Sequence, residues 1–338
     1  MDQKNSFLIN VLGTVIIIAI FATLVNLNEL FTILKNANLG YVGLAIISYS
    51  LVNIFMSIRI KYILMKLGHN IGLSSIIKSN FSGMLMSDFT PARIGYFFTA
   101  ISLSEKHNIE IQKTILSILG PQLLEFMVKV ICSIILFGWI ITHFNAFNGV
   151  EMILIASIIG AILAIIFFTS LLFNKQLLEY FSFCKNIPLV KKVYHLFRVM
   201  QKNSDVLIRE MPKIVLFTIC GWFFKGLEWF FIAKAINISI ATGTNELLFF
   251  MLFHPFVTFI HFVPIPTIGG IGTGEAAISL TFAIFSIDIT KSLAFGIIAR
   301  TVMLLLDSII GIFDILNFIK KQGYKQLYKK INELEHSS

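Results

Sequence analysis

Residues 261–275 read HFVPIPTIGGIGTGE, two prolines and four glycines set between apolar runs long enough to lie in a membrane. Proline removes a backbone donor and glycine loosens a helix, so no helix runs through this stretch. In hydrocarbon each bare peptide group costs several kcal/mol. A broken backbone survives at that depth only inside protein or beside a watery cavity. The stretch therefore marks a place where something polar enters the bilayer, which points to transport or to chemistry on lipids.

Working outward, composition puts that break in a membrane. Of 338 residues, 57% are hydrophobic and only 13% charged, and the mean hydropathy is +0.85. A soluble core of this size needs far more charge to cover it. Apolar runs of about 20 residues recur where a β-barrel would show short alternating strands, so the expected class is an all-α polytopic membrane protein, one integral domain over residues 1–338. Six full spans are predicted, at residues 9–27, 39–60, 114–141, 152–173, 213–233 and 292–318. Two further apolar regions are interrupted: 73–103, broken at SDFTPARIG (87–95), and 247–287, broken at the stretch quoted above. No A-x-A-like cleavage site follows the first run, which is read as retained. Cys132, Cys184 and Cys220 lie far apart without metal-ligand spacing and read as small hydrophobes.

Lysine and arginine set the expected orientation. Arg59, Lys61 and Lys66 follow the second span, Lys106 and Lys113 precede the third, and the segments 174–212 and 319–338 are rich in both, whereas the turns at 143–151 and 236–246 have neither. By the positive-inside rule both chain ends and the basic loops face the cytoplasm of a cell-membrane protein. The net charge of +9 then reads as topology and attraction to anionic headgroups, not as a nucleic-acid surface. Parity makes 73–103 enter and leave on the inner side. Region 247–287 either dips in from the outer face or forms two short spans meeting inside. Two dips from opposite faces would be an inverted pair, the arrangement with which alternating-access transporters build a midplane site. In the basic loop, Val190, Val193, Tyr194, Phe197 and Met200 recur at helical spacing among lysines and arginines. That describes an interfacial helix on anionic lipid or a linker helix packed on the spans.

Charges inside spans mark the candidate chemistry, since each costs at least about 2.5–3.5 kcal/mol at a helix centre. Glu125 and Lys129 are four apart and Lys225 and Glu228 three apart, spacings that pair them on one face. Arg300, Asp307 and Asp314 repeat every seven residues and share one stripe. In the first break Pro91 ends a half-helix, Arg93 supplies a cation and Asp88 caps or pairs with it; a guanidinium suits phosphate because it donates two parallel hydrogen bonds to one anion. In the second, Pro264 and Pro266 interrupt the backbone and Gly269, Gly270, Gly272 and Gly274 expose amides at a helix start, which favours an anion. Glu275 repels phosphate there but attracts an amine or an arginine; its alternative role is a helix cap. His254, His261 and Glu275 could ligate a metal or act as acid and base, although no HExxH motif supports it. Walker loops, nucleotide fingerprints and serine elbows are missing from the sequence.

These residues resemble a family. PIPTIGGIGTGE resembles the P-x-x-x-GG-x-G-x-x-E signature of the lysylphosphatidylglycerol synthase transmembrane region, flippase-like proteins related to the multiple peptide resistance factor. TPARIGYF (90–97) is similar to its P-x-R-x-G-E motif through Pro91, Arg93 and Gly95. Glu125 resembles the glutamate of its E-R-x-x-D pattern, and Arg300 followed by Gly311 its closing span. Tyr96 stands where that family usually has glutamate, and Phe126 and Lys129 replace its arginine and aspartate. The resemblance implies a bundle with two re-entrant segments, lipid translocation and no cofactor. Synthases of the family carry an added soluble domain, and the sequence ends at Ser338 without one, so it is not expected to be an enzyme by itself.

The expectation is a flippase-like protein whose cargo is a phospholipid or lipid-linked headgroup. Arg93, Gly95, Glu125, Lys129, Gly269, Gly270, Gly272, Glu275, Arg300 and Asp307 line the path, with no metal. The alternative is a membrane-embedded enzyme or an accessory subunit serving a separate soluble transferase.

Overall fold

Asparagine side chains punctuate the start of the chain. The computed structural model describes residues 3–143, 174–180, 204–240, 245–260, 267 and 270–322, with isolated positions between 159 and 201. Asn26 Oδ1 accepts from the backbone N–H groups of Asn28 and Glu29 at 3.1 and 3.2 Å. This cap starts α2 (Leu27–Lys35) at 91° to the Val11–Leu24 stretch of α1 (Gln3–Leu24). The run expected at 9–27 thus falls on α1, and the chain turns sharply into α2 just past its end, because a satisfied N-cap gives it a new helix direction.

Asn38 repeats the device and opens α3 (Leu39–Lys66). That helix runs six residues past the predicted end at 60, since Ile60, Ile63 and Leu64 are all buried at helical spacing. Arg59, assigned from sequence to a cytoplasmic flank, is thus inside the bundle, only 3% exposed.

The first interrupted region is α4 (Leu73–Asp88), a 3-10 turn (Pro91–Phe97) and α5 (Phe98–His107). Its two legs run antiparallel: Ser75 faces His107 at 2.7 Å and Ser79 faces Ser102 at 2.9 Å. The long α6 (Ile111–His143) follows, then the short α7 (Lys175–Tyr180) and α8 (Ser204–Arg209). The span expected at 152–173 lies, isolated positions apart, outside the described residues, as do most of the basic loop and the tail beyond 322. α9 (Met211–Ala235) packs antiparallel on α3, with Phe224 stacked on Phe55 at 5.5 Å and Phe217 edge-on to Tyr62 at 5.8 Å. The second interrupted region has legs α10 (Glu246–Ile260) and α11 (Thr273–Ala283). Rings join them: Phe253 stacks on Phe282 at 4.5 Å, and Phe249 meets Phe285, just past α11, edge-on at 4.9 Å.

The last helix, α12 (Ile289–Gln322), is 34 residues long and serves as a ruler for both hairpins. Near its start Phe295 meets Phe282 of the second hairpin; further on, Arg300 meets Glu275 and Gly270 at that hairpin's tip. Seven residues later, about 10 Å along the axis, Asp307 lies beside Asp88 at the tip of the first hairpin. Gly311 then passes the Phe81 backbone, Asp314 meets Ser79, Ser102 and Lys106, and Phe318 packs on Phe98. The two hairpins approach from opposite ends of α12 and their tips stop two turns apart near its middle.

Among the described residues the fold is entirely helical. Four helices are long and apolar enough to cross a membrane, five if the bent pair of α1 and α2 counts as one. Outward apolar side chains such as Val15, Phe31, Leu39 and Phe313 are exposed, as lipid-facing positions are.

Candidate functional site

At the tip of the first hairpin the chain leaves α4 at Asp88 and turns through Thr90, whose hydroxyl accepts from the Gly95 N–H at 2.7 Å. Glycine is required at 95, because a Cβ there would land inside the Met86 carbonyl. Gly95 thus shapes the turn. Arg93 sits at φ 57°, a left-handed conformation that costs a non-glycine residue about 1–2 kcal/mol. The strain turns its guanidinium onto Asp88 (3.1 Å) and Ser87 (3.3 Å). The arginine side chain is 52% exposed while Asp88 is 7% exposed, so the cation keeps a free face.

Asp88 lies within hydrogen-bond reach of Asp307, and Asp307 also accepts from the Tyr49 hydroxyl at 3.0 and 2.9 Å. Lys225 rests over the Tyr49 ring, 5.1 Å from its centroid, and pairs with the fully buried Glu228 at 2.8 Å, the partner its spacing predicts. From Tyr49 a polar thread runs through Asn53 and Asn80 to the Tyr96 hydroxyl. Tyr96 lies within electrostatic reach of Arg59, Glu125, Arg93 and Asp307, so it stands between two clusters.

The second cluster joins α3, α6 and α9. Glu125 takes Lys129 at 2.9 Å and Arg59 at 3.1 Å, and Arg59 also donates to Thr218 at 2.8 Å.

In the described part of the second tip, from Gly270 to Glu275, the backbone and side chains bond to one another and to Arg300. Gly270 and Gly272 have φ of 71° and 82°, which glycine adopts without strain. The Gly272 N–H donates to Glu275 Oε2 at 2.8 Å, while Arg300 Nε reaches Glu275 Oε1 at 2.6 Å and its Nη2 reaches the Gly270 carbonyl at 3.0 Å. Glu275 therefore both caps the helix and pairs with an arginine. The expectation that the Gly272 amide faces an anion meets an amide that already has an acceptor. Gly269, Pro264 and Pro266 lie outside the described residues, as does His261. His254 packs edge-on against Trp229, centroids 4.8 Å apart, and no group of His, Cys, Asp and Glu among the described residues could hold a metal ion.

The structure thus joins Arg93 to Asp307, Glu275 to Arg300, and Glu125 to Lys129. Sequence reasoning missed Tyr49, Asn53, Arg59, Asn80 and Thr218. One signal was available: Tyr49, Asn53 and Ser57 recur every fourth residue in an apolar run and are all buried, a polar stripe turned inward.

Comparison with known proteins supplies the family. A UPF0104 membrane protein of Methanocaldococcus jannaschii is 24% identical over 336 residues, covering 94% of this chain and 96% of that one. No solved structure matches. Residues 10–311 match the family described as the lysylphosphatidylglycerol synthase TM region, from within α1 to Gly311 where α12 crosses α4. On that match, which takes in both broken hairpins, this multi-pass membrane protein belongs to the lysylphosphatidylglycerol synthase transmembrane-region family.

Proposed function

We propose that the protein translocates a lipid headgroup across the cell membrane, with both chain ends cytoplasmic and the two hairpins re-entrant from opposite faces. The cargo is a phospholipid or a lipid-linked anion, and a separate soluble transferase fits as a supplier or consumer of it. The observation carrying this reading is Arg93: a half-exposed cation held in a strained turn beside Asp88 and Asp307, midway along α12. Charge at that depth is costly, and a fixed guanidinium recovers part of the hydration that a phosphate loses on entering. Tyr49, Asn53, Asn80 and Tyr96 extend the polar lining, so the headgroup travels through protein while the acyl chains stay in lipid.

Fluorescent-phospholipid flipping in proteoliposomes tests the reading. Losing a charge-assisted bidentate contact costs about 1.5–3 kcal/mol, so Arg93→Ala should slow flipping by about tenfold or more. An unchanged rate rejects Arg93 as the headgroup contact.

A further inference from the structure

The cluster on α3, α6 and α9 carries more positive charge than its own carboxylate can neutralise. Arg59 and Lys129 bring two positive charges to the single carboxylate of Glu125. A surplus cation in the bundle interior is costly unless something anionic joins it. The Arg59 guanidinium points to the missing partner. Its Nη1 is taken by Thr218 and its Nη2 by Glu125, but Nε, on the same edge as Nη2, is buried with no hydrogen-bond partner. That edge is the fork which binds carboxylate or phosphate through two parallel bonds, and Glu125 uses half of it.

We propose that Arg59 and Lys129 form a second anion subsite for a phosphate group, with Glu125 as the resident carboxylate it displaces. Lys129 and Glu125 are partly exposed, at 21% and 28%, whereas the Arg59 side chain is 4% exposed. An incoming phosphate meets the ammonium first and then fills the Nε–Nη2 edge as Glu125 gives way. Thr218, accepting from Arg59 Nη1, keeps the guanidinium plane fixed throughout. The subsite lies ten residues along α3 from Tyr49, about 15 Å towards the Lys66 end, with Tyr96 between it and Arg93. Headgroup capture and headgroup passage thus fall at two staggered cations, which deepens the translocation reading and rests on it for the source of the phosphate.

Retained lipid decides the matter. The full-length protein, released from nanodiscs of phosphatidylcholine and phosphatidylglycerol into a mass spectrometer, should retain phosphatidylglycerol in preference. Lys129→Gln should cut that preference about tenfold, the worth of one charged hydrogen bond. Arg59→Lys should cut it despite keeping the charge, because an ammonium has no fork, and Glu125→Gln should raise it by removing the competitor. A purely structural ion pair predicts instead that these substitutions lower thermal stability and leave both the lipid ratio and the response to inorganic phosphate alone, which would overturn the proposal; Lys129→Gln and Glu125→Gln suffice for this if Arg59→Lys does not fold. Inorganic phosphate supplies the second arm. If it stabilises the detergent-solubilised protein but not Lys129→Gln, while the lipid ratio is flat, the subsite stands and takes free phosphate. Flipping that is absent although the lipid ratios shift as stated rejects translocation and keeps the subsite; normal flipping with ratios indifferent to both cations does the reverse.

Discussion

The two broken hairpins use one backbone device with opposite chemistry. The legs of the first are joined by small and polar groups: Ser79 on Ser102, Thr99 packed against Gly83, and Ser82 donating to the Gly311 carbonyl of α12 at 2.9 Å. The legs of the second are joined by rings, Phe253 on Phe282, and Phe250 lies parallel to Phe295 of α12 at 6.1 Å. Their tips differ in the same sense. In the second, Glu275, Arg300 and the glycine backbone satisfy one another. In the first, Arg93 is strained, half exposed and only partly matched by Asp88. Small residues let backbones come close without interlocking, whereas stacked aromatics fix one geometry. On the proposed function, the second hairpin acts as a fixed wall and the first as the working face.

Paired arginine substitutions are the sharpest way to break that contrast. Arg300→Met leaves the Glu275 carboxylate buried without its cation, a loss worth about 3–5 kcal/mol, so the melting temperature in detergent should fall far. Arg93→Met removes a half-exposed cation whose attraction for Asp88 solvent already screens in part, so it should lower the melting temperature less, while headgroup flipping slows about tenfold or more. Equal destabilisation by the two, or flipping left unslowed by Arg93→Met, would erase the distinction between wall and working face.

Glycine substitutions probe the tips next. At Gly95 a Cβ meets backbone, which cannot move aside; overpacking of this kind costs about 1–3 kcal/mol or more. At Gly270, among the described residues, the new Cβ meets only the Thr273 hydroxyl at 3.4 Å, and the penalty set by these is the positive φ, about 1–2 kcal/mol. Gly95→Ala should therefore lower thermal stability more than Gly270→Ala, and a reversed order would mean that the first tip has room to relax.

How far the sequence carried this contrast follows from what each feature needs. Pro91 and the glycine run break helices locally, so both interruptions were legible, as were the Glu125–Lys129 and Lys225–Glu228 pairs, which depend only on helical spacing. The class and the apolar helices were legible for the same reason. The bend at Asn26 was not, because a polar residue at the end of an apolar run reads equally as a loop or as a cap. Arg59 was misplaced because its hydropathy looks like a flank, and only the packing of Ile60, Ile63 and Leu64 shows the helix continuing. The pairing of Glu275 with Arg300 and of Tyr49 with Asp307 joins residues far apart in sequence, which periodicity cannot reach.

The bases of the hairpins allow the gentlest test. The first closes where Ser75 and His107 lie 2.7 Å apart, and burial, then the neighbouring Lys106 ammonium, hold His107 below the usual imidazole value of 6.5. The unfolded leg then binds a proton more readily than the folded one, so stability at this base is fully present above about pH 6.5 and declines as pH falls through the lowered folded value. The second base is closed by Phe249 and Phe285, which do not titrate. Hydrogen–deuterium exchange, corrected for its intrinsic pH dependence, should show the first turn of α4 and the last of α5 opening more often at about pH 5.5 than at about pH 7.5. The ends of α10 and α11 should not respond, and His107→Gln should flatten the response of the first base. Were both bases to loosen alike, the acid effect would belong to the bundle as a whole, and the difference between a polar closure and an aromatic one would have no energetic expression.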